Sequence, residues 1–216
     1  MSDAWESRPG VVAFDFDGTL ADTYPWVESV LGEVAQTFGF RAPQPHEREA
    51  LRRLDTRALL RTLGIPLWKA PGIVAEMRRR MQSAAGAIVL FPGIESAVDA
   101  LAQAGLRLAV VSSNAEDNVR RIIGPHLESR FEIFDCGIDL FGKAARLRRL
   151  AGHFDVASQD VILIGDEVRD IEAARQAGTR VGVTTWGYSS IELLLEHRPD
   201  AIFERTTDIP TRLLTP

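Results

Sequence analysis

The 216-residue chain has one cysteine, Cys136, four histidines and no apolar run approaching the roughly 20 residues needed to span a bilayer. A single thiol excludes an intrachain disulfide and any cysteine-based zinc cluster, and Cys136 reads as a small buried hydrophobe at a strand-to-loop junction. His46, His126, His153 and His197 are scattered along the chain, which argues against a histidine-rich metal site. Positive charge is not in excess: 25 Lys and Arg face 30 Asp and Glu, a net charge of -5. That balance argues against nucleic acid and against an anionic membrane as partners. The opening residues MSDAWESRPG contain no apolar signal-peptide segment, so a cytoplasmic location is expected. With hydrophobic residues at 45% and charged residues at 25%, the chain has the composition of a soluble globular protein.

Short apolar runs recur along it, and several stop at polar residues. Val11-Val12-Ala13-Phe14 stops at Asp15-Phe16-Asp17-Gly18-Thr19; the run 106–111 stops at Ser112-Ser113-Asn114; Val161-Ile162-Leu163-Ile164 stops at Gly165-Asp166-Glu167. A fourth run lies at 180–183, with weaker ones at 131–134 and 201–203. Helical periods lie between them, near 94–104, 115–123, 143–151, 168–177 and 189–196. This alternation predicts an α/β fold, a Rossmann-like parallel sheet with helices on both faces. From 22 to 88 the rhythm changes to helical patterns near 24–38, 47–63 and 69–84, followed by one short strand at 88–91. A structureless loop of that length is improbable, so 22–88 is read as an inserted all-helical cap, and 1–21 with 89–216 as the core. Trp26, Phe38 and Trp68 are expected to form the small core of that cap.

The strand ends carry the chemistry. Asp15 and Asp17, two apart, approach one point, and Gly18 allows a turn there that other residues resist. Asp166 adds a third carboxylate, with Glu167 beside it and Asp170 one helical turn on. Such hard oxygen donors suit Mg²⁺. Ser112, Ser113 and Asn114 offer hydroxyl and amide donors to phosphoryl oxygens, and Lys143 offers a cation. Arg52, Arg53, Arg57 and Arg61 form a basic cluster in the insert, with Arg57 foremost for meeting a second anionic group on a substrate.

Asp15-Phe16-Asp17-Gly18-Thr19-Leu20-Ala21-Asp22-Thr23, Ser112, Lys143 and Gly165-Asp166-Glu167-Val168-Arg169-Asp170 resemble, in order and spacing, the motifs of the haloacid dehalogenase superfamily. The likeness is to its helical-cap, phosphoglycolate phosphatase-like phosphatases. The resemblance implies an Mg²⁺-dependent phosphatase acting on a small phosphorylated metabolite, phosphoglycolate being the first candidate. Asp15 would be the nucleophile and Asp17 the acid and base. The Asp15 side chain, the Asp17 carbonyl and Asp166 would hold the metal, with Glu167 and Asp170 behind them. Ser112, Lys143 and the amides near Gly18 and Ser113 would bind the phosphoryl oxygens. Ala144 stands where many relatives have proline. Asp17 argues against a dehalogenase, whereas a phosphomutase on a sugar phosphate uses the same aspartates and stays open, as does the choice between monomer and homodimer.

Overall fold

The computed structural model describes residues 8–137 and 142–215. Its strands are β1 (Val11–Phe14), β2 (Ala21–Asp22), β3 (Val89–Leu90), β4 (Arg107–Val111), β5 (Ile133–Asp135), β6 (Val161–Gly165), β7 (Arg180–Thr184) and β8 (Ala201–Phe203). Six of them form one sheet in the order β5-β4-β1-β6-β7-β8, with every adjacent pair parallel. The helices are α1 (Tyr24–Phe38), α2 (Arg48–Arg52), α3 (Thr56–Thr62), α4 (Ala70–Ala84), α5 (Ile94–Gln103), α6 (Glu116–Glu128), α7 (Lys143–His153), α8 (Val168–Ala177), α9 (Ile191–Glu196) and α10 (Asp208–Leu214).

The alternation of side chains along β1 explains why its sequence is apolar throughout. Val12 and Phe14 point into a cluster shared with Val98 and Leu101 of α5, Ile123 of α6 and Leu213 of α10. Val11 and Ala13 point the other way, toward Leu147 of α7, Ile171 and Ala174 of α8 and Leu194 of α9. A strand covered by helices on both faces has no solvent side and needs no polar residue. All four β1 side chains are fully buried, and a residue such as Phe14 contributes about 2–3 kcal/mol by leaving water. Cys136, just past β5, is partly buried against the first cluster, and burial pushes its thiol up to about 12.

The segment between β2 and β3 holds α1 to α4. Chain entry and exit lie side by side there, because β2 and β3 pair antiparallel, Ala21 with Leu90 and Asp22 with Val89. Several expectations are corrected in detail. The helix expected over 47–63 is two helices, because the Asp55 carboxylate accepts the Ala58 N–H at 2.7 Å and starts α3 afresh. The helix expected to end at 123 continues to Glu128 across a break at Gly124, whose φ is 73°. β5 starts two residues later than its apolar run, and α10 is an element beyond those the sequence pattern predicts. Trp68 is 77% exposed, so it is not part of an interior; Trp26 instead packs on the first sheet cluster.

Candidate active site

Strands β4, β1 and β6 are neighbours at the centre of the sheet, and each hands over a polar residue where it stops: Ser112, Asp15 and Asp166. Asp15 prolongs the ladder, its N–H donating to the Ile164 carbonyl at 2.8 Å. With β4 on one flank of β1 and β6 on the other, the connections diverge from this point and leave a crevice at the carboxyl ends of the strands.

Asp15 is 1% exposed. Its Oδ1 accepts the Phe16 N–H at 2.8 Å, while Oδ2 accepts no well-directed hydrogen bond among the described residues, although Lys143 Nζ lies 2.8 Å from it. Lys143 opens α7 and also donates to Asp170 Oδ1 at 2.5 Å. The other oxygen of Asp170 accepts the backbone N–H of Asp166 at 3.2 Å and of Glu167 at 3.1 Å, which ties the start of α8 to the end of β6. Asp166 accepts the Thr19 hydroxyl on Oδ1 at 2.8 Å and the Tyr188 N–H on Oδ2 at 2.7 Å. Gly18, at φ +74°, lets the loop after β1 close over this carboxylate, since a Cβ there would sit 2.3 Å from Asp166 Oδ2.

Electrostatics follow from this packing. Burial drives the Asp166 carboxyl well above the usual carboxylate range, with Glu167, Asp170 and Asp15 adding to the effect. Burial also raises Asp15, against the pull of Lys143. Lys143 would be lowered by burial, but Asp15 and Asp170 together outweigh that and raise it. Asp170 is held below its usual value because Lys143 and Arg169 overcome its own burial. One oxygen each from Asp15, Asp166 and Asp170 lie within 4.8 Å of one another. Buried oxygen-only donors, and at Asp15 and Asp166 ionisations that burial resists, are what a small, hard divalent cation relieves, so the donor set fits Mg²⁺.

The Asp17 side chain stands apart from that cluster. Both its oxygens accept from Asn114 Nδ2 at 3.1 Å. Burial and then the Asp15 charge raise Asp17 to about 6. Ser112 is buried and its Oγ accepts the Asn114 N–H at 3.0 Å, which leaves its proton to be given elsewhere; Ser113 is half-buried beside it. Glu167 caps the start of α8 and is held by neighbouring side chains. Its Oε1 takes Arg169 Nε at 3.0 Å, and its Oε2 takes the Thr56 hydroxyl of α3 at 3.4 Å. Arg57 is exposed on α3. Arg52 donates to the carbonyls of Gly187 at 2.9 Å and Tyr188 at 3.1 Å, in the loop after β7.

The structure thus brings together Asp15, Asp17, Gly18, Ser112, Asn114, Lys143, Asp166 and Asp170, with Glu167 one layer out. Three residues at the site have no role in the sequence reading, although two of them, Thr23 and Arg169, stand inside its motifs. Arg169 lies beside Glu167 and lowers the proton affinity of both Asp15 and Asp17. Thr23 and Tyr188 meet through their hydroxyls at 2.8 Å, from positions 165 apart in the chain.

A family model, Haloacid dehalogenase-like hydrolase, matches residues 12–184. Phosphoglycolate phosphatase of Synechococcus elongatus is 30% identical over 199 residues, covering 92% of this chain and 94% of that protein. Tyrosine-protein kinase PtkA of Mycobacterium tuberculosis is 28% identical over 214 residues, covering 96% of this chain and 70% of that protein. Among solved structures, CbbY from Rhodobacter sphaeroides in complex with phosphate superposes with a TM-score of 0.73 at 21% identity, covering 96% of this chain and 100% of that one.

Proposed function

Because this chain belongs to the haloacid dehalogenase-like hydrolases and is a phosphoric monoester hydrolase among them, we propose that it is an Mg²⁺-dependent phosphatase forming an aspartyl-phosphate on Asp15. The observation that carries the reading is Asp15 Oδ2, a buried carboxylate oxygen at the end of the central strand with no well-directed hydrogen bond among the described residues and Lys143 Nζ 2.8 Å away. Apart from the Lys143 ammonium it meets no hydrogen-bond donor among the described residues, which leaves it a lone pair for a substrate.

In the proposed reaction Asp15 attacks phosphorus and the bond to the leaving oxygen breaks, with Asp17 giving that oxygen its proton. A water then attacks the phosphoryl group, Asp17 takes a proton from it, and the bond from phosphorus to Asp15 breaks to release inorganic phosphate. Ser112, Lys143 and the amides near Gly18 and Ser113 hold the phosphoryl oxygens, and the Asn114 amide holds Asp17 between its two tasks. Asp15, the Asp17 carbonyl and Asp166 would hold Mg²⁺, with Asp170 and Glu167 positioning groups around it; the ion supplies charge neutralisation at the phosphoryl group.

Phosphoglycolate is the proposed substrate, supported by the name of the Synechococcus relative. Arg57, on the helix whose Thr56 meets Glu167, is proposed to receive its carboxylate. The test is release of inorganic phosphate from a panel of phosphate monoesters with Mg²⁺, with Asp15→Asn as control. Metal-dependent release that vanishes in the variant supports the reading. Isomerisation of a sugar phosphate without release would establish a mutase instead, and phosphate passing from ATP to a tyrosine would establish a kinase.

A further inference from the structure

Asn114 and Asn118 stand four apart, the first just ahead of α6 and the second in its opening turn. Both are buried, Asn118 completely. An asparagine amide has a donor end and an acceptor end, and which way it lies is settled by neighbours that can only give or only take a proton. Two main-chain groups do this here. The Ala115 N–H can only donate, and it reaches one end of the Asn114 amide at 2.8 Å, so that end is the oxygen. The Arg78 carbonyl can only accept, and it lies 2.9 Å from one end of the Asn118 amide, so that end is the nitrogen. The second proton of Asn118 Nδ2 then goes to Asn114 Oδ1 at 3.1 Å, and Asn114 Nδ2 is left facing Asp17, 3.1 Å from both carboxylate oxygens. Met81 Sδ, 3.0 Å from the same nitrogen, is a weak acceptor and competes little.

Asn118 holds this polarity at a cost. Its own Oδ1 is buried and accepts no hydrogen bond among the described residues, a penalty that an apolar side chain would not carry. Its donor end is therefore the part that matters at this place. The direction of the Asn114 amide in turn matters to an acid. An amide nitrogen does not accept a proton, so while Asp17 is protonated Asn114 Nδ2 donates to its carbonyl oxygen and leaves the O–H free to serve the leaving oxygen. An amide turned end for end would present lone pairs instead. It would accept the proton meant for the leaving oxygen and then repel the carboxylate that remains.

Building on the phosphatase reading above, we propose that Asn118 is a positioning residue that locks the Asn114 amide with its N–H donors toward Asp17, so that the Asp17 proton passes to the leaving oxygen and not to a neighbouring amide. Asn118 touches no reacting atom. It acts from α6, through one side chain.

The test compares kcat/KM for two esters. One is an alkyl phosphate that the parent cleaves, phosphoglycolate first, whose alkoxide needs a proton to leave; the other is p-nitrophenyl phosphate, whose phenolate leaves without one. In Asn118→Leu, of similar size and without a donor, kcat/KM on the alkyl ester falls roughly fivefold to tenfold, while the aryl ester stays within about twofold of the parent. Asn118→Val gives the same selective loss and serves in place of a leucine variant that does not fold, which melting temperatures reveal. The Asn114→Ala, Asn118→Leu double variant is no worse than Asn114→Ala alone, because Asn118 acts only through Asn114. Arg121→Ala cuts a different bond from α6 to the helical insert, the donation to the Gln82 carbonyl at 2.9 Å, and keeps the parental ratio between the esters. Equal losses on both esters, additive effects of the two asparagine substitutions, or the same selective loss in Arg121→Ala would overturn the proposal. A parent protein that releases phosphate from neither class of ester would overturn the phosphatase reading and this inference with it.

Discussion

Replacing Asp17 with asparagine removes an ionisation that the fold resists. Burial and the Asp15 charge lift this carboxyl from an ordinary 3.8 to about 6, with the Thr23 and Asn114 side chains working against the rise. The folded chain therefore holds the Asp17 proton more tightly than the unfolded chain does. Stability from this group is complete below the unfolded value and is lost as pH rises through about 6. About two pKa units at 1.36 kcal/mol each amount to about 3 kcal/mol of destabilisation at pH 8 in metal-free protein. Asparagine never ionises, but it keeps only one acceptor oxygen where aspartate offers two. Asn114 cannot turn to compensate, because its Oδ1 already accepts the Ala115 N–H at 2.8 Å and Asn118 Nδ2 at 3.1 Å. One lost hydrogen bond costs about 1 kcal/mol. The net gain of about 2 kcal/mol corresponds to a rise in Tm of about 4–8 °C for a chain of this size. Thermal unfolding of parent and Asp17→Asn in chelator at pH 8, 6 and 4 reads this directly. The gain should be largest at pH 8 and absent at pH 4, where the lost hydrogen bond leaves the variant slightly below the parent. A variant no more stable than the parent at pH 8, or a gap that does not change with pH, refutes the reasoning.

Two further substitutions probe the same crevice. Lys143→Met keeps the apolar stem but leaves Asp15 and Asp170 facing each other without their shared cation. Breaking such a buried pair costs about 3–5 kcal/mol, so Tm in chelator should fall by on the order of 10 °C; a fall under about 2 °C would deny Lys143 that role. Gly18→Ala forces a side chain onto a residue at φ +74° and into a Cβ position 2.3 Å from Asp166 Oδ2. Left-handed strain of about 1–2 kcal/mol and a displaced Asp166 should together lower phosphate release by at least roughly tenfold, and an alanine variant with parental turnover would show that the loop has another way to close.

The sheet was legible in the sequence because its central strands are buried on both faces, so that Val11 to Phe14 and Val161 to Ile164 stand out as unbroken apolar runs ending in acid. The residues at those ends were legible for the same reason, since a charge directly after a buried strand has few structural uses. What escaped notice depends on partners far away in the chain. β2 has only two residues, too few to express an alternation, and exists because Leu90 and Val89 return to meet it. The break before α3 rests on one side chain, Asp55, inside a stretch whose arginine spacing suits a continuous helix. Thr23 and Tyr188 are 165 positions apart, and neither looks unusual without the other. Trp68 went wrong because a tryptophan suggests an interior; here it lies exposed, with the Lys69 ammonium 5.5 Å from its ring centroid.

The ribbon made by Ala21, Asp22, Val89 and Leu90 has a consequence for how such a protein diversifies. Because departure and return are paired with each other, the sheet registers everything between them as one long hairpin loop whose closure is already fixed. The entropy of closing a loop grows only slowly with its length. Segments of very different size could therefore be grafted at the same doorway without disturbing the strands that end in Asp15, Ser112 and Asp166. What a grafted segment must still supply is the few side chains that reach across to the site's loops, as Arg52 and Thr56 do here.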